Sequence, residues 1–371
     1  MTGRAVRSMD MILGIESSCD ETAAAVVDAS MRVRSSVVAS QHELHLEYGG
    51  VVPEIASRAH LERILPVVHK ALAEAGVGIG ELSAVAAGVR PGLIGSLLVG
   101  SSAAKGLAFG AMLPFYAVDH VAAHLFAGLL RDDESADPPR CEFPALGLVV
   151  SGGHTSLFRL DGPTECTLVG RTIDDAVGEA FDKAAVMLGL PHPGGPNLER
   201  CARGGDASAL RFALPHLPSA LDFSLSGLKT KLLYEVRGVP KGRGAGATFA
   251  RTSADLSETR RRDLAASFQS AAIAQVLDRL GRAADSFAPR TVFVGGGVVA
   301  NAALREALAA WSAERGVALV VPPQRYCVDN AAMIAGFAQL RAARADRGDP
   351  LSVPTEPVSL LARGSAPKRV Q

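Results

Sequence analysis

Met11-Ile12-Leu13-Gly14-Ile15-Glu16-Ser17-Ser18-Cys19-Asp20-Glu21-Thr22 is the stretch on which the reading of the fold turns. Its first five residues predict a buried strand, and Thr22 to Val27 predict a second. Between them stands a polar turn ending in two adjacent acids, Asp20 and Glu21. Such a turn usually means no more than contact with solvent. Here the pattern comes back in the second half of the chain. Ala145 to Val150 predicts a strand, Ser151-Gly152-Gly153-His154 a turn, and Thr155 to Leu160 the return strand. The Ser-Gly-Gly backbone can wrap an anion because no Cβ blocks the approach, and a plain hairpin turn is the other reading.

Outward from the first hairpin, Gly49 to Glu54 opens a helix that runs to about Ala75, with Glu54 near its positive end. A buried strand, Ala84 to Val89, leads through Pro91-Gly92-Leu93-Ile94-Gly95-Ser96 into a helix of small residues. The strand Phe115 to Val118 then delivers Asp119-His120-Val121-Ala122-Ala123-His124. Two histidines four residues apart share one helix face, so both imidazoles can point at a single ion. One core histidine and one solvated histidine is the bland alternative. A zinc protease would carry Glu directly after the first His, and that position is Val121. Asp132-Asp133-Glu134 and Pro138-Pro139 mark a lobe boundary, dividing the chain into 1–137 and 138–371.

In the second half, a helix is expected from Asp174 through Leu188, followed by a rigid Pro193-Gly194-Gly195-Pro196 turn close to Asp182. Phe223 to Thr230 opens another helix, with Lys229 either solvated or placed for a phosphate or RNA. The basic, glycine-containing stretch 237–262 reads as a mobile insertion, centred on 238–258, before a helix from Leu264 to about Ala284. Thr291 to Val294 runs as a strand into Gly295-Gly296-Gly297 and a helix, the arrangement that receives a nucleotide, though without the G-x-G-x-x-G fingerprint. After a strand at Leu319 to Val321, Asp329 precedes the final helix, about 331–343, which is expected to pack back on the first lobe. Asp329 is either that helix's cap or a third ligand beside His120 and His124, completing a two-His-one-carboxylate set. The tail beyond Ala343 is expected to be peripheral.

The totals suit a globular protein: 371 residues, 48% hydrophobic, 20% charged and formally neutral. A neutral chain advertises no global attraction for nucleic acid, although a local basic patch stays possible. The five cysteines are scattered and never form C-x-x-C, as expected of a reduced cytoplasmic protein. Leu93 to Val118, the longest apolar region, carries Lys105 and many Gly and Ser residues, which argues against a membrane span.

Nine segments, in order, resemble the motifs of the universal tRNA threonylcarbamoyladenosine-synthesis family. They are Gly14 to Thr22, Gly49 to Arg58, Pro91 to Leu97, His120 to His124, Ser151 to Thr155, Gly178 to Lys183, Phe223 to Thr230, Gly295 to Asn301 and Cys327 to Asn330. The family's older label is the O-sialoglycoprotein endopeptidase, or glycoprotease, family, and Gly178 to Lys183 and Gly49 to Glu54 look like its bacterial branch. The likeness runs from about Met11 to Phe337. It implies an actin-like (ASKHA) α/β fold of two lobes, with repeated mixed sheets flanked by helices; the acidic first hairpin is similar to the first phosphate loop of that fold.

The resemblance further implies one divalent metal ion, iron ahead of zinc, on His120, His124 and Asp329. It implies substrate contacts at Val149, Val150, Ser151, Gly152, Gly153, Asp182, Gly195 and Asn301, and catalytic sensitivity at Asp20 and Glu21. The implied reaction moves threonylcarbamoyl from threonylcarbamoyl-AMP to the exocyclic amine of the adenosine beside the anticodon, in tRNAs reading codons that begin with A. The chain has no G-x-x-x-x-G-K-[ST] run. The family supplies that deficit through a P-loop ATPase subunit (TsaE-like) and a metal-free paralogous subunit (TsaB-like), for which the Ser96 to Ala108 helix is the expected contact. A metalloprotease and a non-catalytic nucleotide-binding module are the alternatives. Two departures from the pattern stand out: Arg90, where a glycine is usual, and the insertion around 238–258.

Overall fold

The computed structural model describes residues 10–48, 50–132, 139, 141–242, 248–359 and 361. Asp133, Glu134 and Pro138 of the expected boundary, and Arg243, Gly244 and Gly246 of the expected insertion, lie outside the described residues.

The elements run β1 (Met11–Glu16), β2 (Glu21–Asp28), β3 (Val33–Ser40), α1 (His42–His45), α2 (Pro53–Ala75), β4 (Ala84–Arg90), α3 (Ile94–Gly110), β5 (Phe115–Asp119) and α4 (His120–Phe126). Then come β6 (Ala145–Val150), β7 (Thr155–Gly162), β8 (Glu165–Arg171), α5 (Val177–Met187), α6 (Gly194–Ala202), α7 (Ser226–Arg237) and α8 (Glu258–Phe287). The chain closes with β9 (Thr291–Gly295), α9 (Ala302–Arg315), β10 (Ala318–Val320) and α10 (Ala331–Ala342). They build two five-stranded sheets, ordered β3-β2-β1-β4-β5 and β8-β7-β6-β9-β10. In each, the first three strands of the order pair antiparallel, and the last two join parallel to the central strand. The two sheets therefore repeat one topology.

β3 and β8 extend the hairpins by a strand that the apolar pattern does not announce. In β3, Val33, Ser35 and Val37 are buried while Arg34, Ser36 and Val38 face solvent, so half its residues are exposed. Central strands behave differently. Leu13 and Ile15 face α2 and α3, whereas Ile12 joins Ala332 and Ala335 of α10 in a separate core. Burial on both faces makes β1, β4, β6 and β9 continuous apolar runs. The second sheet likewise turns Leu146, Leu148 and Val150 toward α5, α7 and α8, and Ala145 and Val149 toward α4 and α10. The layers are thus helices, sheet, the α4–α10 pair, sheet, helices.

That middle layer is packed tightly enough to dictate glycines. A Cβ at Gly14 would fall 2.4 Å from Ala331 O, and one at Gly295 would fall 2.0 Å from His124 O. Glycine lets β1 carry α10 and β9 carry α4 at backbone contact, so each helix of the pair is held against a sheet.

Four expectations are corrected. The helix expected from Asp174 begins at Val177, because Asp174 instead accepts from Leu225 N at 2.8 Å and closes the approach to α7. Pro193-Gly194-Gly195-Pro196 is not a free turn but the start of α6, with Pro193 in the cap position. Arg260, Arg261 and Arg262 belong to α8, capped by Ser257, and Arg260 pairs with Glu235. The tail is not peripheral: Asp349 N donates to Phe115 O (2.7 Å), Lys105 Nζ to Val353 O (2.6 Å) and Glu356 N to Val89 O (3.0 Å). It covers the exposed side of β5, an otherwise unpaired sheet edge. Arg90 points into this strap, 3.4 Å from Glu356 Oε2.

Candidate metal and nucleotide site

β5 ends at Asp119, whose carboxylate accepts from Val121 N at 3.0 Å and Ala122 N at 3.4 Å and so caps α4. Ser359 of the strap donates to the other Asp119 oxygen at 2.6 Å. One turn apart on α4, the buried His120 and His124 rings meet edge to face, with centroids 4.6 Å apart. Their Nε2 atoms stand 3.3 Å and 3.1 Å from Asp329 Oδ1. Asp329 is free to face them because Asn330, not Asp329, caps α10, accepting from Met333 N at 2.9 Å. The capping reading of Asp329 is therefore set aside.

The ligand atoms of His120, His124 and Asp329 all lie within 4.8 Å of one another. With metal–ligand bonds of about 2.0–2.2 Å, ligand atoms on adjacent coordination positions sit about 3–3.5 Å apart. The two carboxylate–imidazole distances match that spacing, so the donor set fits a divalent ion. The electrostatics agree. Burial pushes Asp329 up, but the neighbouring imidazoles outweigh it and hold its carboxyl well below the usual range. Burial pushes His120 down, yet Asp329 and Glu16 hold it well above an ordinary histidine. Burial and the His120 charge together lower His124. The pocket is built around one positive charge.

The first hairpin tip reaches the same place. Burial, together with the Asp20 and Asp329 carboxylates, pushes Glu21 up to about 9. A neutral Glu21 donates a hydrogen bond and serves as a base only once a cation alongside has lowered it. His154, on the second hairpin turn, is pushed down to about 4 by burial and by the charge at His120 and His124, and stays neutral. Burial and Asp20 raise the Cys19 thiol, so the tip carries no thiolate nucleophile.

A cavity of about 370 Å³ is lined by Gly152, Asp182, His192, Gly195, Asn301 and Val328, the last of these the residue before Asp329. Its size suits a small ligand. The Ser151 turn is tied by Ser151 N to His154 O (2.7 Å) and by Gly178 N to Ser151 O (3.2 Å). A Cβ built at Gly152, Gly153 or Gly195 meets nothing within 4 Å, so the backbone there is open to a ligand. Asp182 Oδ1 accepts from Gly195 N at 2.9 Å, placing a carboxylate at the α6 N-terminus.

Other expected residues are placed differently. Asn301 caps α9, accepting from Leu304 N at 2.9 Å, and its amide donates to Gln269 at 2.9 Å. Val149 and Val150 are wholly buried strand residues and do not line the cavity. Gly296 has φ 98°, and a Cβ there would lie 2.4 Å from Val150 O, so this glycine is required by the fold itself. Lys229 is paired with Asp175, which Lys183 also meets at 3.1 Å, and is not a free cation for phosphate. Sequence reasoning missed Glu16 and Ser18, which back His120, and gave His154 no role. Glu16 was disguised as part of the polar turn, although it is the last residue of a buried strand.

Two sheets of one topology, packed on a shared middle layer that holds a His-His-Asp centre, define an actin-like α/β protein of two lobes. Solved structures share that fold. HypF of T. kodakarensis superposes with a TM-score of 0.58 at 14% identity, over 90% of this chain and 48% of that one. Component A of the (R)-2-hydroxyglutaryl-CoA dehydratase of Acidaminococcus fermentans does so with a TM-score of 0.50 at 13% identity, over 90% and 99%. The sequence is more specific. A family model described as tRNA N6-adenosine threonylcarbamoyltransferase matches residues 32–336. A protein of that name from Symbiobacterium thermophilum is 49% identical over 328 residues, 88% of this chain and 90% of its own. The chain belongs to the tRNA N6-adenosine threonylcarbamoyltransferase (TsaD) family.

Proposed function

We propose that this chain transfers the threonylcarbamoyl group from threonylcarbamoyl-AMP to the exocyclic amine of the adenosine beside the anticodon, in tRNAs reading codons that begin with A. The observation that carries the reading is a His-His-Asp centre whose Asp329 directly follows Val328, a wall residue of a glycine-lined cavity, in a chain of this family. The adenine amine is a weak nucleophile because its lone pair is delocalised into the ring, so the acyl group must arrive activated. As the new N–C bond forms, the carbonyl–phosphate C–O bond breaks. AMP leaves with that electron pair, and the amine gives up a proton. The target base lies in a single-stranded loop, where splaying it out costs little.

The open backbone at Ser151 to Gly153 and at Gly195 is suited to the AMP portion, with Asp182 and Asn301 fixing the cavity walls. His120, His124 and Asp329 would hold the divalent ion, iron ahead of zinc on the family likeness, which supplies Lewis-acid polarisation of the carbonyl. Asp20, or Glu21 once a cation alongside has lowered it, would take the amine proton. The lobes of this reading are 1–137 and 138–371, with α10 shared between the sheets. No helix among the described residues is long and apolar enough to cross a membrane. A cytoplasmic site of action is part of the proposal.

Incorporation of labelled threonine into unmodified tRNA, with the adenylate supplied and the two partner subunits present, tests the assignment. Absence of label from a folded, metal-loaded chain would overturn it. The cavity is tested separately. Gly195→Val places a side chain in open space, so it should lower AMP affinity about tenfold or more by calorimetry while leaving the melting temperature unchanged. Unchanged affinity would put the nucleotide elsewhere.

The protease alternative predicts cleavage of a sialylated glycoprotein. We expect none after prolonged incubation, since Val121 occupies the position of the general base and Cys19 is held as a thiol. Cleavage that vanishes in His120→Ala would restore that alternative.

A further inference from the structure

We propose that Glu16 is a positioning residue for the metal centre, fixing the tautomer and orientation of His120; this rests on the metal reading above. Glu16 ends β1 and is 0% exposed. Its Oε2 lies 3.1 Å from His120 Nδ1, on the opposite side of the ring from the Nε2 that faces Asp329. Its Oε1 accepts from Ser18 N at 2.6 Å, and Ser18 Oγ stands 3.3 Å from the same Nδ1. A carboxylate here can only accept, so the Nδ1 proton is held on Glu16 and the Nε2 lone pair is left for an ion.

Two further features show that the fold makes room for this contact. β1 and β4 run parallel, with Ile15 opposite Ala87, which brings Gly88 beside Glu16. A Cβ at Gly88 would fall 2.5 Å from Glu16 Oε2. Glycine at 88 thus leaves the space that the carboxylate occupies. Among the described residues His124 has no such counterpart, for its buried Nδ1 finds no hydrogen-bond partner there. The two histidines are therefore unequal. His120 is clasped between Glu16 and Asp329, whereas among the described residues His124 hydrogen-bonds through Nε2 to Asp329 and makes no second hydrogen bond.

Glutamine cannot replace this arrangement, although it matches Glu16 in size. Two donors, Ser18 N–H and His120 Nδ1–H, face the side chain, and an amide offers only one acceptor oxygen. Zinc is the probe, titrated into metal-stripped protein against a chromophoric chelator, with His120→Ala defining the lost site. We expect Glu16→Gln to bind zinc with unchanged stoichiometry but about 10- to 100-fold more weakly. Gly88→Ala, which leaves Glu16 in place but presses on its carboxylate, should weaken binding in the same direction. It decides the matter if Glu16→Gln fails to fold. Circular dichroism confirms that the compared proteins are folded, and a purely structural role would leave their zinc affinity at the wild-type value. Wild-type affinity in either folded variant overturns the assignment of Glu16. Failure of the wild-type protein to bind zinc, iron or another divalent ion overturns the metal reading, and this inference with it.

Discussion

His124→Ala is expected to empty the metal centre and to lower threonylcarbamoyl transfer by about a thousandfold, while costing the fold less than loss of His120 does. Lewis-acid stabilisation is worth several kcal/mol, and each 1.36 kcal/mol is a factor of ten in rate. Of three protein ligands within 4.8 Å of one another, losing one leaves too few to retain the ion through purification. His120→Ala should match it in activity but not in stability. Removing His120 strips Asp329 of one partner and Glu16 of its imidazole contact in the buried pocket. Breaking buried charge pairs of this kind costs about 3–5 kcal/mol. In metal-stripped protein, His120→Ala should therefore melt well below His124→Ala, which leaves Asp329 and Glu16 still facing His120. Elemental analysis, the tRNA assay and thermal melts read the three quantities. Stoichiometric metal in a His120→Ala, His124→Ala double variant would show that the ion sits elsewhere.

The second large effect is dependence on partners. Isolated chain given threonylcarbamoyl-adenylate and unmodified tRNA should turn over slowly or not at all, and adding the paralogous subunit and the P-loop ATPase should restore multiple turnover. We propose a docking face for the paralogue on α2 and α3. Gly95 packs on Ser57, setting α3 beside α2. Leu61 and Leu65 on α2 are exposed, as are Ile94, Leu98 and Phe109 on α3 and Met112 just past it. Apolar side chains left in water along two adjacent helices mark an interaction surface. Ala103, on the other flank of α3, is partly buried against the first-sheet core, so enlarging it would disturb packing as well as docking. Leu61→Asp with Leu98→Asp is the cleaner test, because neither site is buried. The pair should abolish rescue by the partners and leave metal content and melting temperature normal. Rescue at the wild-type level would move the docking face elsewhere. Full multiple turnover by the isolated chain would remove the dependence itself.

Much of this was legible in the sequence because it depends on local periodicity and on short-range geometry. Continuous apolar runs announce β1, β4, β6 and β9, the strands buried on both faces, and shorter or partly buried apolar runs announce β2, β5, β7 and β10. Helical spacing by itself places His120 and His124 on one face of α4. β3 and β8 were not legible, since edge strands half in solvent carry polar residues that break the pattern. The choice of Asn330 over Asp329 as the α10 cap could not be read either, because both are good capping residues and stand side by side. It was settled by the histidines of α4, which claim the Asp329 carboxylate from 205 residues away in sequence.

Lys229 and Glu16 are the sharper cases. A lysine near a helix start is free or paired according to what the next segment brings, and here Asp175 neutralises it. A glutamate in an acidic turn is normally solvated, yet Glu16 lies in the core under Gly88 and against His120. The sequence by itself determined the repeated hairpins, the strand and helix order and the identities of the three candidate ligands, since each follows from neighbours along the chain. The tertiary structure alone decided which polar groups are buried and which partner each one meets. Burial and pairing arise where sheets and helices distant in sequence close on one another, and no local pattern encodes that meeting.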